Sequence, residues 1–278
     1  MGVVRIRPMT GGDVGAAAAE VLRAGWGDRA TFFAWAVGHA SCHPFVAEED
    51  GRIVGTGIAT AYGHVGWVGT IFVVPDRRGD GLGRTLTQTV IDDLEARGCR
   101  TLVLIATDLG RPVYERLGFE LLAAHVRYAT QGSAETGGVP GVRPYAAGDL
   151  PAILRLDRAA TGEDRSAVLA SLVSPESARV ALGGDRAIAG FVIRGPWGGA
   201  ALSAPDPDDA IRLLEWRRRL AGPDGTVAAG LPDSNTVGGE RLRAAGWTES
   251  PGAVRMVRGE PLAWRPGSIW GQLNGALG

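Results

Sequence analysis

Residues 74–86 read VPDRRGDGLGRTL, with glycines at 79, 81 and 83 and arginines on both sides. Gly79 to Arg84 can present a row of backbone N–H groups where a helix begins, and the helix dipole adds a field that favours an anion. Side chains at 79, 81 and 83 would block close approach to that backbone, so three glycines suit a bound pyrophosphate. A plain strand-to-helix turn rarely needs so many. Two rival phosphate chemistries fail on register and residue type. A dinucleotide loop needs G-x-G-x-x-G, and counting from Gly79 puts Arg84 on the last position. A Walker-type loop needs Gly-Lys-Ser/Thr, yet all 29 basic residues are arginine. The lack of lysine also excludes Schiff-base catalysis.

Other groups with chemical potential are weaker. His39, Cys42 and His43 lie in GHASCHPF, where the two histidines are four apart and could share a helix face. No HExxH or CxxC accompanies them, so no metal is expected. Glu48, Glu49, His64 and Asp108 are candidate proton acceptors; the apolar strands WVGTIFV and CRTLVLIA contain no acid.

The elements that must hold these groups follow from periodicity and turn signals. FVAEEDGRIVGTGIAT reads as a hairpin turning at Asp50-Gly51, and WVGTIFVV as the strand leading into the glycine loop. RTLTQTVIDDLEARG reads as a helix, CRTLVLIAT as a strand, RPVYERLGF as a short helix and HVRYAT as a closing strand. The order β-helix-β-β-β-helix-β-helix-β predicts an α/β chain with a mixed sheet. The start of the chain is echoed later: VRIRPMTGGD by GVRPYAAGD, each a strand followed by an aspartate N-cap and a helix. QGSAETGGVPG, residues 131–141, suits a linker. Two related domains are expected, 1–135 and 140–278.

Composition sets the class. The 278 residues are 45% hydrophobic and 21% charged with a net charge of -1, the profile of a globular protein without a footprint for nucleic acid or an acidic membrane. Two cysteines, 57 residues apart, imply no disulfide framework, MGVVRIRP is no signal peptide, and no run approaches ~18 apolar residues. A cytoplasmic location is the expectation.

VPDRRGDGLGRTL resembles motif A of the GNAT acetyltransferase superfamily, V-x-P-x-x-Q/R-x-x-G-x-G/A, and the surrounding element order is the GNAT order. The resemblance implies two tandem GNAT-like domains, each a twisted, splayed mixed sheet flanked by helices. It implies acetyl-CoA as acyl donor, with its pyrophosphate on Arg78, Gly79, Asp80, Gly81, Leu82, Gly83 and Arg84. Pantetheine would pair as a pseudo-strand with Ile71, Phe72 and Val73. Tyr114 falls where many members carry a tyrosine near the coenzyme sulfur, a candidate general acid for the departing thiolate. Thr107 stands where many have an asparagine bonding the pantetheine arm. LVLIATDLGRPVYERLGF is similar to a line in bacterial tandem GNAT proteins, with Ile105 in place of an aspartate and Asp108 in place of a proline.

In this fold the first helices and the head of the central strand line the acceptor side. Trp26, Phe33, Trp35, Trp67 and Asp108 are the pocket candidates, which would suit an apolar or flat-ring acceptor. The second half resembles the degenerate closing domain of those tandem proteins. Its APDPDDAIRLLEWRRRL lacks R-x-x-G-x-G and carries Asp206, Asp208 and Asp209 where a pyrophosphate would sit. One working coenzyme site, in the first domain, is therefore expected, with the second domain structural or closing the acceptor site. The implied activity is acetyl transfer to a primary amine of a small molecule by a monomer or homodimer. Peptide N-acetylation and a non-catalytic acyl-CoA sensor are the alternatives.

Overall fold

The computed structural model describes residues 3–278. β1 (Arg5–Pro8) leads through a short 3-10 turn into α1 (Val14–Arg23) and α2 (Ala30–Gly38). β2 (Cys42–Glu49), β3 (Arg52–Tyr62) and β4 (Val65–Val73) follow, then α3 (Leu82–Ala96), β5 (Thr101–Ala106), α4 (Arg111–Arg116) and β6 (Glu120–Gln131). The second half runs β7 (Val142–Pro144), α5 (Leu150–Thr161), α6 (Ser166–Leu172), β8 (Ala178–Leu182), β9 (Ile188–Arg194) and β10 (Ala200–Ser203). It ends with α7 (Pro207–Ala221), β11 (Thr226–Pro232), α8 (Thr236–Ala244), β12 (Thr248–Gly259) and β13 (Ile269–Gly271). The α/β class with mixed pairing is as the sequence predicts. The single helix expected after the first strand is two, separated by Gly25 and Gly27. Among the described residues no helix is long and apolar enough to cross a membrane.

The residues gather into two compact units. The first holds residues up to Glu120 together with Met256–Pro261 and Gly275–Leu277. Its strands run in the order β1-β2-β3-β4-β5, antiparallel except for the parallel β4–β5 pair, and the last residues of β12 lie beyond β5. The second unit holds Leu121–Arg255 and Leu262–Asn274. There β6 pairs antiparallel with β11, from Gln131↔Thr226 to His125↔Pro232, and a five-stranded sheet runs β13-β10-β9-β8-β7. The units therefore depart from a contiguous 1–135 and 140–278 division. β6, read as the strand closing the first domain, belongs with the second unit because seven of its residues ladder to β11. Residues of the expected linker are tied down there too, with Gly132 N–H donating to the Gly225 carbonyl at 2.8 Å.

The echo between the halves has a physical basis. Arg7 grips Asp13 through two 2.8 Å hydrogen bonds, and Arg143 grips Asp149 at 2.6 and 2.8 Å. Each aspartate also accepts the backbone N–H three residues before it, from Thr10 and Ala146 respectively. Asp13 and Asp149 stand at the N-cap positions of α1 and α5, but their carboxylates close the preceding turn rather than cap the helix. The bidentate clasp fixes the angle at which strand enters helix, and it holds the Asp13 carboxyl well below the usual carboxylate range.

α3 lies unusually close to the sheet. A Cβ on Gly55 would approach Leu86 to 2.7 Å, and one on Gly66 would approach Leu94 to 2.9 Å. Leu86, Val90, Ile91 and Leu94 are fully buried in that seam. Truncating any of the leucines to alanine costs about 2–5 kcal/mol in such packing. The seam sets the height at which the N-terminus of α3 meets the end of β4.

Candidate active site

β4 and β5 pair only through Val65↔Thr101, Gly66↔Leu102 and Trp67↔Val103. The ladder stops there, although β4 runs on to Val73 and β5 to Ala106. On its other edge β4 stays paired with β3 as far as Gly55↔Val73. The stretch after Trp67 thus has one edge free of a strand partner, a place where an extended ligand can add as a strand. Within it Thr70 adopts φ +49°, and the β3–β4 register shifts between Thr56 and Ile58. The Thr56 hydroxyl donates to the Thr70 carbonyl at 3.0 Å and holds this bulge, which re-aims the strand.

The glycine loop begins where β4 ends. Val74 N–H donates to the Val54 carbonyl at 3.0 Å, a 3-10 turn spans Pro75–Arg77, and Arg78 Nε returns to the Val73 carbonyl at 3.0 Å. Gly79 and Gly81 take φ +94° and +81°, so the turn itself requires glycine at both. Gly83 is different. It lies inside α3, and a Cβ there would meet nothing nearer than Val73 Cγ2 at 3.7 Å, an ordinary contact. The fold therefore leaves room for a side chain at 83 and does not itself require glycine there. Asp80 and Arg84 are exposed, Leu82 is half-buried, and Arg77 is held by Glu49 at 2.9 Å. These features fit a pyrophosphate joined to an extended arm.

Because β4 and β5 are parallel, the residues after β5 emerge at the same end as the glycine loop, the end at which open α/β sheets bind ligands. Thr107 and Asp108 are exposed there, and the Thr107 carbonyl accepts N–H bonds from Gly110 at 3.0 Å and Arg111 at 2.9 Å. These bonds start α4, which carries Tyr114. The ring is 8% exposed and meets Phe119 edge-on at 6.1 Å; burial pushes the phenol up to about 12. Ile71 and Val73 are half-buried and Phe72 is buried.

The aromatic candidates divide. Trp26, between Gly25 and Gly27, is 37% exposed and rests edge-on against Phe72 at 5.5 Å. Trp35 is half-buried and stacks on His39 at 4.4 Å. Phe33 and Trp67 have no exposed surface. Trp67 sits where the β4–β5 ladder is still closed, so it fills core instead of lining an open pocket.

The candidate bases divide as well. Arg7 occupies Glu48 at 2.7 Å and Arg77 occupies Glu49. His64 precedes β4, about 30 Å along the strand from the glycine loop at ~3.3 Å per residue. Asp108 is exposed just after β5 and makes no ion pair among the described residues. His39 caps α2 while Cys42 and His43 belong to β2, so the two histidines do not share a helix face. Thr56 and Thr70 were not marked by the sequence, because nothing in residue type signals a non-glycine residue at positive φ.

Comparison with known proteins agrees with this geometry. Residues 18–119 match the acetyltransferase (GNAT) family and residues 153–271 an acetyltransferase (GNAT) domain. A mycothiol acetyltransferase from Streptomyces avermitilis is 33% identical over 93 residues, 31% of this chain and 30% of that protein. A glucosamine 6-phosphate N-acetyltransferase from Trypanosoma brucei brucei is 33% identical over 90 residues, 30% of this chain and 59% of that protein. The matched stretches thus span less than two thirds of either relative. A solved protein from Pyrococcus horikoshii shares the fold at a TM-score of 0.84 and 21% identity, covering 99% of this chain and 96% of that one. With a GNAT match in each half, the chain belongs to the GNAT acetyltransferase superfamily as a tandem of two such domains.

Proposed function

We propose that the chain transfers acetyl from acetyl-CoA to a primary amine of a small molecule, and that the first GNAT domain does so. The observation that carries this reading is the free edge of β4 ending in a loop whose Gly83 the fold does not require. In this reading Ile71–Val73 pair with the pantetheine arm and Thr107 borders it. The backbone from Arg78 to Arg84 holds the pyrophosphate.

The reaction needs no nucleophilic side chain. The neutral amine attacks the thioester carbonyl, the new C–N bond forms, the C–S bond breaks and the thiolate takes a proton. Backbone N–H at Val73 polarises the carbonyl, and the larger share of the rate comes from alignment. Tyr114 is the proton donor. Its phenol, pushed up to about 12, keeps its proton at neutral pH and gives it up as the C–S bond breaks. Asp108 is the carboxylate placed to relay the amine proton, through water, at the same end of the sheet.

The names of the two relatives support a small-molecule acceptor, one of them an amino sugar phosphate. Thiol release from acetyl-CoA across a panel of small amines tests the reading. Turnover with some panel members is expected. Tight coenzyme binding without release from any amine would instead favour a sensor.

A further inference from the structure

Most arginines of this chain are paired with a carboxylate. Among the described residues, the half-buried arginines without an ion pair are Arg29, Arg179, Arg194 and Arg217, and the last three all lie in the second unit. They share one side of the five-stranded sheet. Gly190 of β9 points at α7, since a Cβ there would come within 3.3 Å of Leu213. Alternation then places Val192 and Arg194 on the same face. Arg179 of β8 is the direct partner of Val192, so it shares that face and stands diagonally across from Arg194, about 7–8 Å away at such spacing. The Arg179 guanidinium stacks on Trp216 of α7, 4.6 Å from the ring centre. Arg217 is the next residue of α7, and it donates to the Ala228 carbonyl of β11 at 2.6 Å.

All three are short of counter-charge. Arg179 directs one nitrogen to the Pro175 and Ala178 carbonyls, and Arg194 makes no side-chain hydrogen bond among the described residues. Glu215 of α7 is held by Arg218 at 3.0 Å and by Arg219 at 3.1 Å. Glu176, whose charge favours that of Arg179, is exposed and forms no ion pair among the described residues. Burial, and after it the charge of Arg194, push the Arg217 guanidinium down to about 10, so it is still charged at neutral pH. Like charges facing one another in a half-buried site are a cost that an anion between them removes.

We infer that Arg179, Arg194 and Arg217 form a binding site for a phosphate group on the α7 face of the second domain. Planar guanidinium forks match phosphate oxygens bidentately, and three cations suit a dianion better than a single carboxylate. Each arginine keeps surface open to solvent. The site lies in the other unit from the glycine loop and does not depend on the acetyl-transfer reading.

The test titrates inorganic phosphate into the full chain by calorimetry, with saturating coenzyme A present to fill the glycine loop. One phosphate per chain is expected, and Arg194→Met is expected to weaken it at least about tenfold, the loss that removing a charge-assisted partner brings. Methionine keeps the apolar stem and deletes the charge. In phosphate-free buffer the melting temperature of Arg194→Met is therefore expected to equal or exceed that of wild type, while added phosphate raises the wild-type value alone. If Arg194→Met fails to fold, Arg217→Met and Arg179→Met take its place. Glucose 6-phosphate distinguishes the source: tighter binding than phosphate assigns the site to a phosphorylated small molecule, equal or weaker binding to free phosphate. No phosphate binding, phosphate displaced by coenzyme A, or equal affinity in wild type and the folded variants overturns the site. So does a melting temperature lowered in Arg194→Met by the same amount with and without phosphate, which would make Arg194 structural.

Discussion

At the scale of single residues, burial keeps the Tyr114 phenol protonated but also makes it a weaker acid, so its proposed proton transfer has to accompany the breaking of the C–S bond. A phenol that must deliver a proton to a thiolate has to hold that proton across the working pH range. Burial beside Phe119, pushing the group up to about 12, ensures this. Tyr114→Phe is expected to lower kcat by about 10²–10⁴, the range general acids supply, with coenzyme Kd within twofold of wild type. Stopped-flow or steady-state thiol release together with calorimetry separates the two effects. The pH–rate profile of wild type is expected to show no alkaline fall from Tyr114 below about pH 11. The same shift has a stability consequence. An unfolded tyrosine loses its proton near 10 and the folded one near 12, so the contribution is intact below pH 10 and is lost as pH rises from 10 to 12. His125 behaves in the opposite sense: burial pushes its imidazole down to about 4, so the unfolded chain binds a proton first as pH falls. Denaturant midpoints are expected to drop between pH 6.5 and 4, and to drop less in His125→Asn.

At the scale of elements, the glycine loop separates what the chain needs from what a ligand needs. Gly81 at φ +81° is required by the turn, and Gly81→Ala is expected to cost about 1–2 kcal/mol of stability. Gly83 sits in the first turn of α3 with room for a methyl group. Gly83→Ala is expected to leave the melting temperature unchanged or raised, since alanine favours helix by up to about 1 kcal/mol, while coenzyme affinity falls at least tenfold. Thermal unfolding and calorimetry on both variants check this; equal affinity in Gly83→Ala would remove the ligand from the explanation. The strand, loop and helix that build this site were readable in VPDRRGDGLGRTL, because glycine register and an apolar run are local signals. The β4 bulge at Thr70 was not, since a threonine at positive φ is imposed by the register shift opposite it. Trp67 was misleading for a related reason. Residue type marks an aromatic as able to line a pocket, but only the extent of the β4–β5 ladder decides whether that position is open. The grouping of β6 with the second unit was equally hidden, because strand partners hundreds of ångströms of chain apart leave no local trace.

At the scale of the whole chain, two GNAT domains raise the question of how many coenzymes bind. In the first unit the strand that leads into the glycine loop has a free edge. In the second, the strand in the same position of the order is β10, which leads into α7. Its outer edge is taken by the chain itself: β13 pairs there antiparallel, with Leu202↔Gly271 and Ser203↔Ile269, and Ala204 N–H donates to the Ser268 carbonyl at 3.0 Å. Trp270 of β13 is fully buried and its indole N–H donates to the Ala204 carbonyl at 3.2 Å. The N-terminus of α7 is likewise occupied, because the Asp206 carboxylate accepts the Asp208 N–H at 2.8 Å and Asp208 and Asp209 add negative charge in the first turn. A pantetheine arm would have to displace a strand, and a pyrophosphate would have to compete with the Asp206 carboxylate for the N–H groups at the start of α7. The absence of a glycine loop predicted one site from the sequence; the filled edge supplies a second, independent reason. Calorimetric titration with coenzyme A is expected to give one site per chain, and Gly83→Ala should weaken all of the observed binding. Restoring glycines to the α7 turn, with Asp206 and Asp208 replaced by glycine, is expected to create no second site, since β13 still closes the edge. A stoichiometry of two in wild type would show that β13 can leave β10, and would make the second domain a binding domain in its own right.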